Sequence, residues 1–442
     1  MEEIDKMFQF IEKSPSCYQA VENVQRELEG AGYKELAENQ KWKLAPGGKY
    51  YVSRNGSSLI AFAIPRGETK GFHMIASHSD SPCFKIKENP EMTVENQYVK
   101  LNVEKYGGMI LSTWLDRPLS VAGRVAVADK TDENGQAGKG KEENNRKESY
   151  PVLPRTKNVA IEKDLFIIPN VAIHMNRDMN KGVEYNVQTD MLPLYGGADS
   201  GESFRRLIAH AAGVEEEEVL GSDLFLYNRE RGRIFGAKEE FICAPRLDDL
   251  ECVFASLQAM LRAVPEKYAN VMIVFDNEEV GSTTRQGAAS TFLQDTLKRI
   301  CRALGMEEGD YHRLLADSFM ISADNAHAVH PNHPEKADPT NRPYLNGGIV
   351  IKYHGSQKYT TDAVSEAVMK DICSRAGVPW QTYANRSDIA GGSTLGNLSA
   401  AQVPVSTADI GLPQLAMHSA YETAGAKDVG YMVRAMECFY RE

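Results

Sequence analysis

A chain of 442 residues exceeds what one compact core accommodates, so two domains are expected. Its 42% hydrophobic and 25% charged content is that of a soluble globular protein, and acidic side chains outnumber basic ones by 61 − 50 = 11. This balance argues against nucleic-acid binding as the main function, and no apolar run reaches the length of a membrane span.

Helical spacing over residues 3–13 and 17–31, broken at Ser14-Pro15, opens the chain, with Ala20, Val24 and Leu28 one above another. The first residues, Met1 to Lys6, are acidic where a signal peptide requires a basic start and a continuous apolar core. Strand-like runs at 59–64 and 72–77 follow. Residues 91–237 then break the rhythm, with short strand-like pieces at 98–103, 121–127, 165–168 and 172–175 between turn signals. They predict an inserted, mainly β domain, which splits the rest of the chain into 1–90 and 238–442. Within the insert, residues 131–148 carry no apolar side chain beyond one Ala and read as a mobile surface loop. The acidic run Glu215 to Glu218 reads as a solvated helix end.

Beyond the insert a helix is expected from 249 to 263, then strands at 271–275, 319–322, 349–353 and 403–408. Helical patterns near 288–304 and 360–376 separate them. Alternation of this kind predicts an α/β fold, a doubly wound mixed β-sheet with flanking helices and its site at the strand ends. Gly391-Gly392-Ser393-Thr394-Leu395-Gly396 lacks the Lys of a phosphate-binding loop and has no dinucleotide-binding spacing. Seven cysteines, Cys17, Cys83, Cys243, Cys252, Cys301, Cys373 and Cys438, include no Cys-x-x-Cys pair and read as reduced thiols of a cytoplasmic protein.

Chemistry concentrates at the strand exits. Asp276-Asn277-Glu278-Glu279 follows the run 271–275 and sets two carboxylates side by side, one to bind a metal and its neighbour to take a proton from water. Alone, such a pair is usually a solvated loop end. It has partners, however. In His78-Ser79-Asp80, after the run 72–76, the imidazole can face a metal while Asp80 holds the other ring nitrogen. Asp248 sits at a loop-to-helix junction after Pro245, where a carboxylate can bridge two ions. Asp324 ends the run 319–321, and His418 supplies a second imidazole late in the chain.

The order His, Asp, Glu-Glu, Asp, His resembles the cocatalytic dizinc exopeptidases. Ser77-His78-Ser79-Asp80-Ser81-Pro82, Pro245-Arg246-Leu247-Asp248-Asp249, Asp276-Asn277-Glu278-Glu279-Val280-Gly281-Ser282, Ser322-Ala323-Asp324-Asn325-Ala326-His327 and Gln414-Leu415-Ala416-Met417-His418-Ser419 are similar to segments of the aspartyl aminopeptidase and aminopeptidase I family. The resemblance runs from the N-terminal helices to about the last helix. It implies two Zn(2+) per subunit, with Co or Mn able to replace them. One is expected on His78, Asp248 and Asp324, and the other on Asp248, Glu279 and His418, with Glu278 as the base and Asp80 in support. It also implies a first-residue pocket of His327, Lys352 and Tyr359, completed by His174 from a neighbouring subunit.

The implied enzyme removes N-terminal residues, preferentially Asp or Glu, from peptides, and assembles as a tetrahedral dodecamer of dimers. Two segments depart from the family pattern, Gly391 to Asn397 in place of Cys-Gly-Ser/Thr-Thr-Ile-Gly-Pro, and Gln357-Lys358-Tyr359 in place of Gln-Arg-Tyr. Both fall towards the substrate side and leave room for neutral first residues. Two alternatives stay open at this point. One is a dizinc deacylase or carboxypeptidase, and the other a non-catalytic binding or shell protein on the same fold.

Overall fold

Val271, Ile273 and Phe275 alternate with Met272 and Val274 along one strand, and both sets are fully buried. Side chains at alternate positions point to opposite faces of a sheet, so this strand requires cover on each side. A computed structural model, which describes residues 2–128, 154–199 and 201–442, shows that cover. The expected loop at 131–148 lies outside the described residues.

The chain divides into two compact units, Met1–Pro82 with Gly107–Met109 and Glu230–Glu442, and Cys83–Tyr106 with Ile110–Arg229. In chain order the first unit begins with α1 (Glu2–Glu12), α2 (Cys17–Gly30), β1 (Lys34–Glu35), β2 (Lys49–Arg54), β3 (Ser58–Ala63) and β4 (Phe72–His78). The second unit holds β5 (Cys83–Val94), β6 (Tyr98–Tyr106), β7 (Leu119–Val127), β8 (Arg155–Ala160), α3 (Val187–Asp190), β9 (Leu194–Gly197), α4 (Phe204–Ala212) and β10 (Val219–Asn228). The first unit resumes with β11 (Arg233–Phe235), β12 (Phe241–Ala244), α5 (Leu247–Arg262), β13 (Ala269–Phe275), α6 (Phe292–Ala303), α7 (Glu308–Ala316), β14 (Phe319–Ala323) and β15 (Ala326–His327). It ends with β16 (Ile349–Tyr353), α8 (Ala363–Ala376), β17 (Trp380–Ala384), α9 (Leu395–Gln402), β18 (Ser406–Gly411), β19 (Pro413–Leu415), β20 (Glu422–Gly425) and α10 (Asp428–Tyr440).

Nine strands form the main sheet of the first unit, in the order β1-β2-β3-β13-β4-β14-β18-β16-β17. Its central four, β13, β4, β14 and β18, run parallel. On one face, Ile75, Met272, Val274 and Ile321 pack with residues of α1, α2, α5, α8 and α10. On the other, Met74, Val271, Ile273, Phe275 and Met320 pack with Phe292, Leu293 and Leu297 of α6, Leu314 of α7 and Leu395 of α9. The sheet is therefore doubly wound and mixed, as the alternation of elements predicts. From β4 the chain passes to β13 on one side and afterwards to β14 on the other. Reversal of this kind opens a crevice beyond the carboxyl ends of the parallel strands, where ligands of such folds bind.

A second sheet of the same unit has the order β11-β12-β20-β19-β15. The other unit is mainly β, an antiparallel six-stranded sheet ordered β8-β7-β10-β5-β6-β9. It starts at Cys83, earlier than the expected residue 91, because β5 continues through an irregularity between Ile86 and Glu91 that accommodates Pro90.

Three local expectations are corrected. Residues 165–168 supply only isolated bridges, Leu119 with Phe166 and Ile167 with Leu194. Residues 172–175 form a turn closed by the Met175 amide on the Ala172 carbonyl at 2.8 Å, and this apolar stretch is exposed rather than paired. Glu216–Glu218 is a single 3₁₀ turn between α4 and β10.

Candidate metal centre

Parallel strands with a shared register bring their final residues to one edge. Phe275 pairs with His78, so Asp276 and the Glu278-Glu279 turn emerge beside that histidine, while Ala323 at the end of β14 delivers Asp324. The smaller sheet completes the set. β12 leads into Asp248, which opens α5 with non-helical dihedrals, and the turn between β19 and β20 carries His418 in a left-handed conformation. His78, Asp248 and Asp324 are all buried.

The donor atoms converge. Ligating atoms of His78, Asp248, Asp249 and Asp324 lie within 4.8 Å of one another, as do those of His78, Glu278 and Glu279, and those of Asp248, Glu279 and His418. His78 Nε2 is 3.8 Å from Asp248 Oδ1, and His418 Nε2 is 3.4 Å from both Asp248 Oδ2 and Glu279 Oε2. Asp248 thus lies between the two imidazoles. Each ring is oriented through its other nitrogen, His78 Nδ1 on the Asp80 main-chain oxygen at 3.0 Å and His418 Nδ1 on the Gly108 carbonyl.

Asp80 has a further task. Its carboxylate lies 3.4 Å from His78 Nδ1 but also accepts the amides of Glu278 and Glu279. Asp249 Oδ2 accepts the His78 amide at 3.1 Å, and Glu422 accepts the amides of both Asp248 and His418. Neither Asp249 nor Glu422 was singled out from the sequence. Asp249 adjoins Asp248 and was legible as a neighbour, whereas Glu422 lies four residues after His418 in a stretch without a motif.

The electrostatics of this pocket require positive charge. Burial, reinforced by Asp324, Asp80 and Asp248, pushes Glu278 up to about 8 against the opposing charge of His78. Burial and the Asp248 charge raise Glu279, and burial raises Asp324 despite Lys352. Burial opposes charge on His418, yet its hydrogen bond to Asp248 and the negative charge of Glu279 carry the ring to about 10. Three carboxylate oxygens, Asp248 Oδ1, Asp249 Oδ1 and Glu279 Oε1, are buried with no hydrogen-bond partner among the described residues. Unsatisfied buried oxygens beside imidazoles, in a cluster with surplus negative charge, fit divalent cations bound by nitrogen and oxygen donors.

Residues 10–440 match the family described as aminopeptidase I zinc metalloprotease (M18). The chain belongs to this M18 family. A probable M18 family aminopeptidase 2 from Clostridium acetobutylicum is 46% identical over 441 residues, covering 98% of each chain. One from Pseudomonas aeruginosa is 38% identical, covering 98% of this chain and 97% of the relative. Among solved structures, the complex of Ape4 and Nbr1 superposes with a TM-score of 0.91 at 34% identity, covering 99% of this chain and 85% of that one. The mApe1 dodecamer of S. cerevisiae gives 0.82 at 27% identity, covering 99% and 96%. M18 membership makes the chain a zinc aminopeptidase, and decides against the deacylase, carboxypeptidase and non-catalytic readings.

The residues expected to bind substrate divide into two groups. In the first unit, His327 ends β15 and its ring lies 6.0 Å from that of Tyr383, which lies 6.3 Å from the Tyr359 ring. Lys352, on β16, is buried, donates to the Asn325 carbonyl at 2.8 Å and lies 3.8 Å from Asp324 Oδ1 and 5.4 Å from the Tyr359 ring centre. Its ammonium therefore connects the metal cluster to this aromatic wall. A cavity of about 240 Å³ begins at His327 and Tyr383 and extends to Asn385, Lys336 and Arg386. His174 belongs to the second unit, where it is exposed between Ile173 and Met175.

Proposed function

We propose that this M18 aminopeptidase is a two-zinc enzyme with a preference for acidic N-terminal residues. The interlocking donor clusters that share His78, Asp248 and Glu279 carry this reading. His78, Asp248 and Asp324 would hold one ion, and Asp248, Glu279 and His418 the other. When bound, the zinc pair supplies Lewis acidity towards the scissile carbonyl and lowers the pKa of the attacking water.

The protein's own groups supply the rest. Glu278 is ionised by the added positive charge and accepts a proton from water, then returns it to the leaving amine. Asp80 fixes that carboxylate by holding the amides of Glu278 and Glu279, so the base need not reorganise during reaction. His327, Lys352 and Tyr359 line the first-residue pocket, where the buried Lys352 ammonium favours a side-chain carboxylate. The departures at 358 and 391–397 extend acceptance to neutral residues.

The assembly is proposed as a closed dodecamer of dimers in the cytoplasm, acting on short peptides, with His174 completing a neighbour's pocket. The dodecameric mApe1 neighbour and the exposed Val171, Ile173 and Met175 support association, and seven scattered cysteines without a Cys-x-x-Cys pair suit a reducing compartment. Among the described residues no helix is long and apolar enough to cross a membrane.

A turnover panel of aminoacyl substrates with different first residues, run after stripping and reloading with zinc, cobalt or manganese, tests the proposal. Highest kcat/KM on Asp and Glu substrates is expected, with two ions per subunit. Preference for apolar first residues would overturn the specificity, and full activity at one ion per subunit would overturn the two-zinc site.

A further inference from the structure

Glu422 is 2% exposed at the start of β20, where it pairs with Ala244 of β12. A carboxylate in such a place requires partners for both oxygens. It has them, and both belong to the metal cluster. Oε2 accepts the Asp248 amide at 3.0 Å and Oε1 accepts the His418 amide at 2.7 Å.

These two amides have no regular secondary structure to hold them. Asp248 departs from helical dihedrals at the head of α5, and His418 has a φ of 66° after Ala416 at 54°, both disfavoured for residues with a Cβ. Glu422 itself is fixed by the ladder of β20 with β12. The strand leading to Asp248 and the turn bearing His418 are thus referred to one rigid point. We propose that Glu422 is a positioning residue for the half-site of Asp248, Glu279 and His418, and sets the separation of two of its three donors. The inference rests on the two-zinc reading above.

The chemistry of a conservative change makes the inference testable. Glu422→Gln preserves volume but offers one acceptor oxygen, so its NH2 group faces whichever amide it cannot serve. A residue that only ties the chain together would lower stability without distinguishing between the ions. A positioning residue weakens most the half-site that contains both of its donors, Asp248 and His418, and weakens less the other, which shares only Asp248.

Full-length protein is stripped of metal, reloaded with zinc alone, and titrated against a chelator of known affinity, with thermal melting of the metal-free form measured in parallel. Glu422→Gln is expected to bind one ion about 10- to 100-fold more weakly, the usual effect of losing an outer partner of a ligand, and the other, which shares only Asp248, with a smaller loss. In a His418→Ala background the same change should cost less than it does in the wild type, because one of the two donors through which Glu422 acts is already removed. Two native affinities in folded Glu422→Gln, or a fully additive loss in the double variant, would overturn the inference. Should Glu422→Gln not fold, Glu422→Asp, which is one methylene shorter and reaches one amide, takes its place in the titration. Failure of both to fold would assign Glu422 to the fold and overturn the positioning role. Wild-type protein that binds a single zinc would instead remove the two-zinc reading.

Discussion

Asp80 Oδ1 accepts the main-chain amide of Glu278 at 3.1 Å, which ties a loop at the end of β4 to the turn beyond β13. Its other oxygen accepts the Glu279 amide at 3.2 Å. One carboxylate therefore fixes both the proposed base and a proposed ligand, and their side chains diverge to different tasks from a common support.

Glu278→Gln separates those tasks. The amide keeps the shape and leaves the Glu279 carboxylate in place, so zinc content should stay native while kcat falls by roughly two to four orders of magnitude, the usual cost of removing a general base. Glu279→Gln should instead weaken one ion. Zinc analysis beside steady-state kinetics on both variants decides the assignment, and near-native turnover in Glu278→Gln would place the base elsewhere.

Lys352 serves two neighbours, Asp324 on one side and the Tyr359 wall on the other. Lys352→Met should lower kcat/KM on Asp and Glu substrates about 10- to 100-fold more than on Leu or Ala substrates, consistent with loss of a charge-assisted hydrogen bond. Parallel kinetics on the four substrates provide the measurement. Equal losses would confine Lys352 to holding Asp324.

Within the nine-stranded sheet, β3, β4, β13, β14 and β16 were legible because they are buried on both faces and read as apolar runs, several with chemistry at their exits, whereas β1, β2 and β17 are partly or fully exposed and carry no such run. Asp276 to Ser282 and Ser77 to Asp80 announce themselves in this way. The smaller sheet was not legible. Its strands β15 and β19 span two and three residues, too short for any period, yet they position His327 and the turn of His418. Glu422 escaped for a related reason, since one of its partners is the amide of Asp248, 174 residues earlier, and the other, His418, lies in an irregular turn without a motif. The turn at 172–175 was read as a strand because its apolar side chains suggest burial, whereas the structure leaves them exposed.

His73 offers a stability test outside the metal cluster. Its ring stacks between Tyr268 and Phe439 at 4.0 and 4.4 Å, and burial lowers its pKa to about 4 against the opposing hydrogen bond to the Phe439 carbonyl. The unfolded chain takes up this proton near 6.5, so between about 6.5 and 4 the unfolded state binds more protons and stability falls as pH falls. About 3 kcal/mol is at stake for a shift of this size. Urea unfolding of metal-free protein at pH 7 and pH 4.5 should show a smaller difference for His73→Phe than for wild type. An unchanged difference would assign the acid sensitivity to other groups.

Enclosure is the remaining consequence of the proposed assembly. An exposed peptidase site threatens folded proteins, while a closed shell admits only short or unfolded chains, so activity and association should be coupled. The exposed run Val171 to Met175 places His174 among apolar side chains suited to a subunit contact. His174→Ala should then reduce turnover with zinc content and particle mass unchanged, because the site loses a contact from its neighbour rather than a ligand. Met175→Asp should lower the mass and the activity together. Light scattering paired with activity across a dilution series checks both, and a fully active monomer would sink the shared-site proposal.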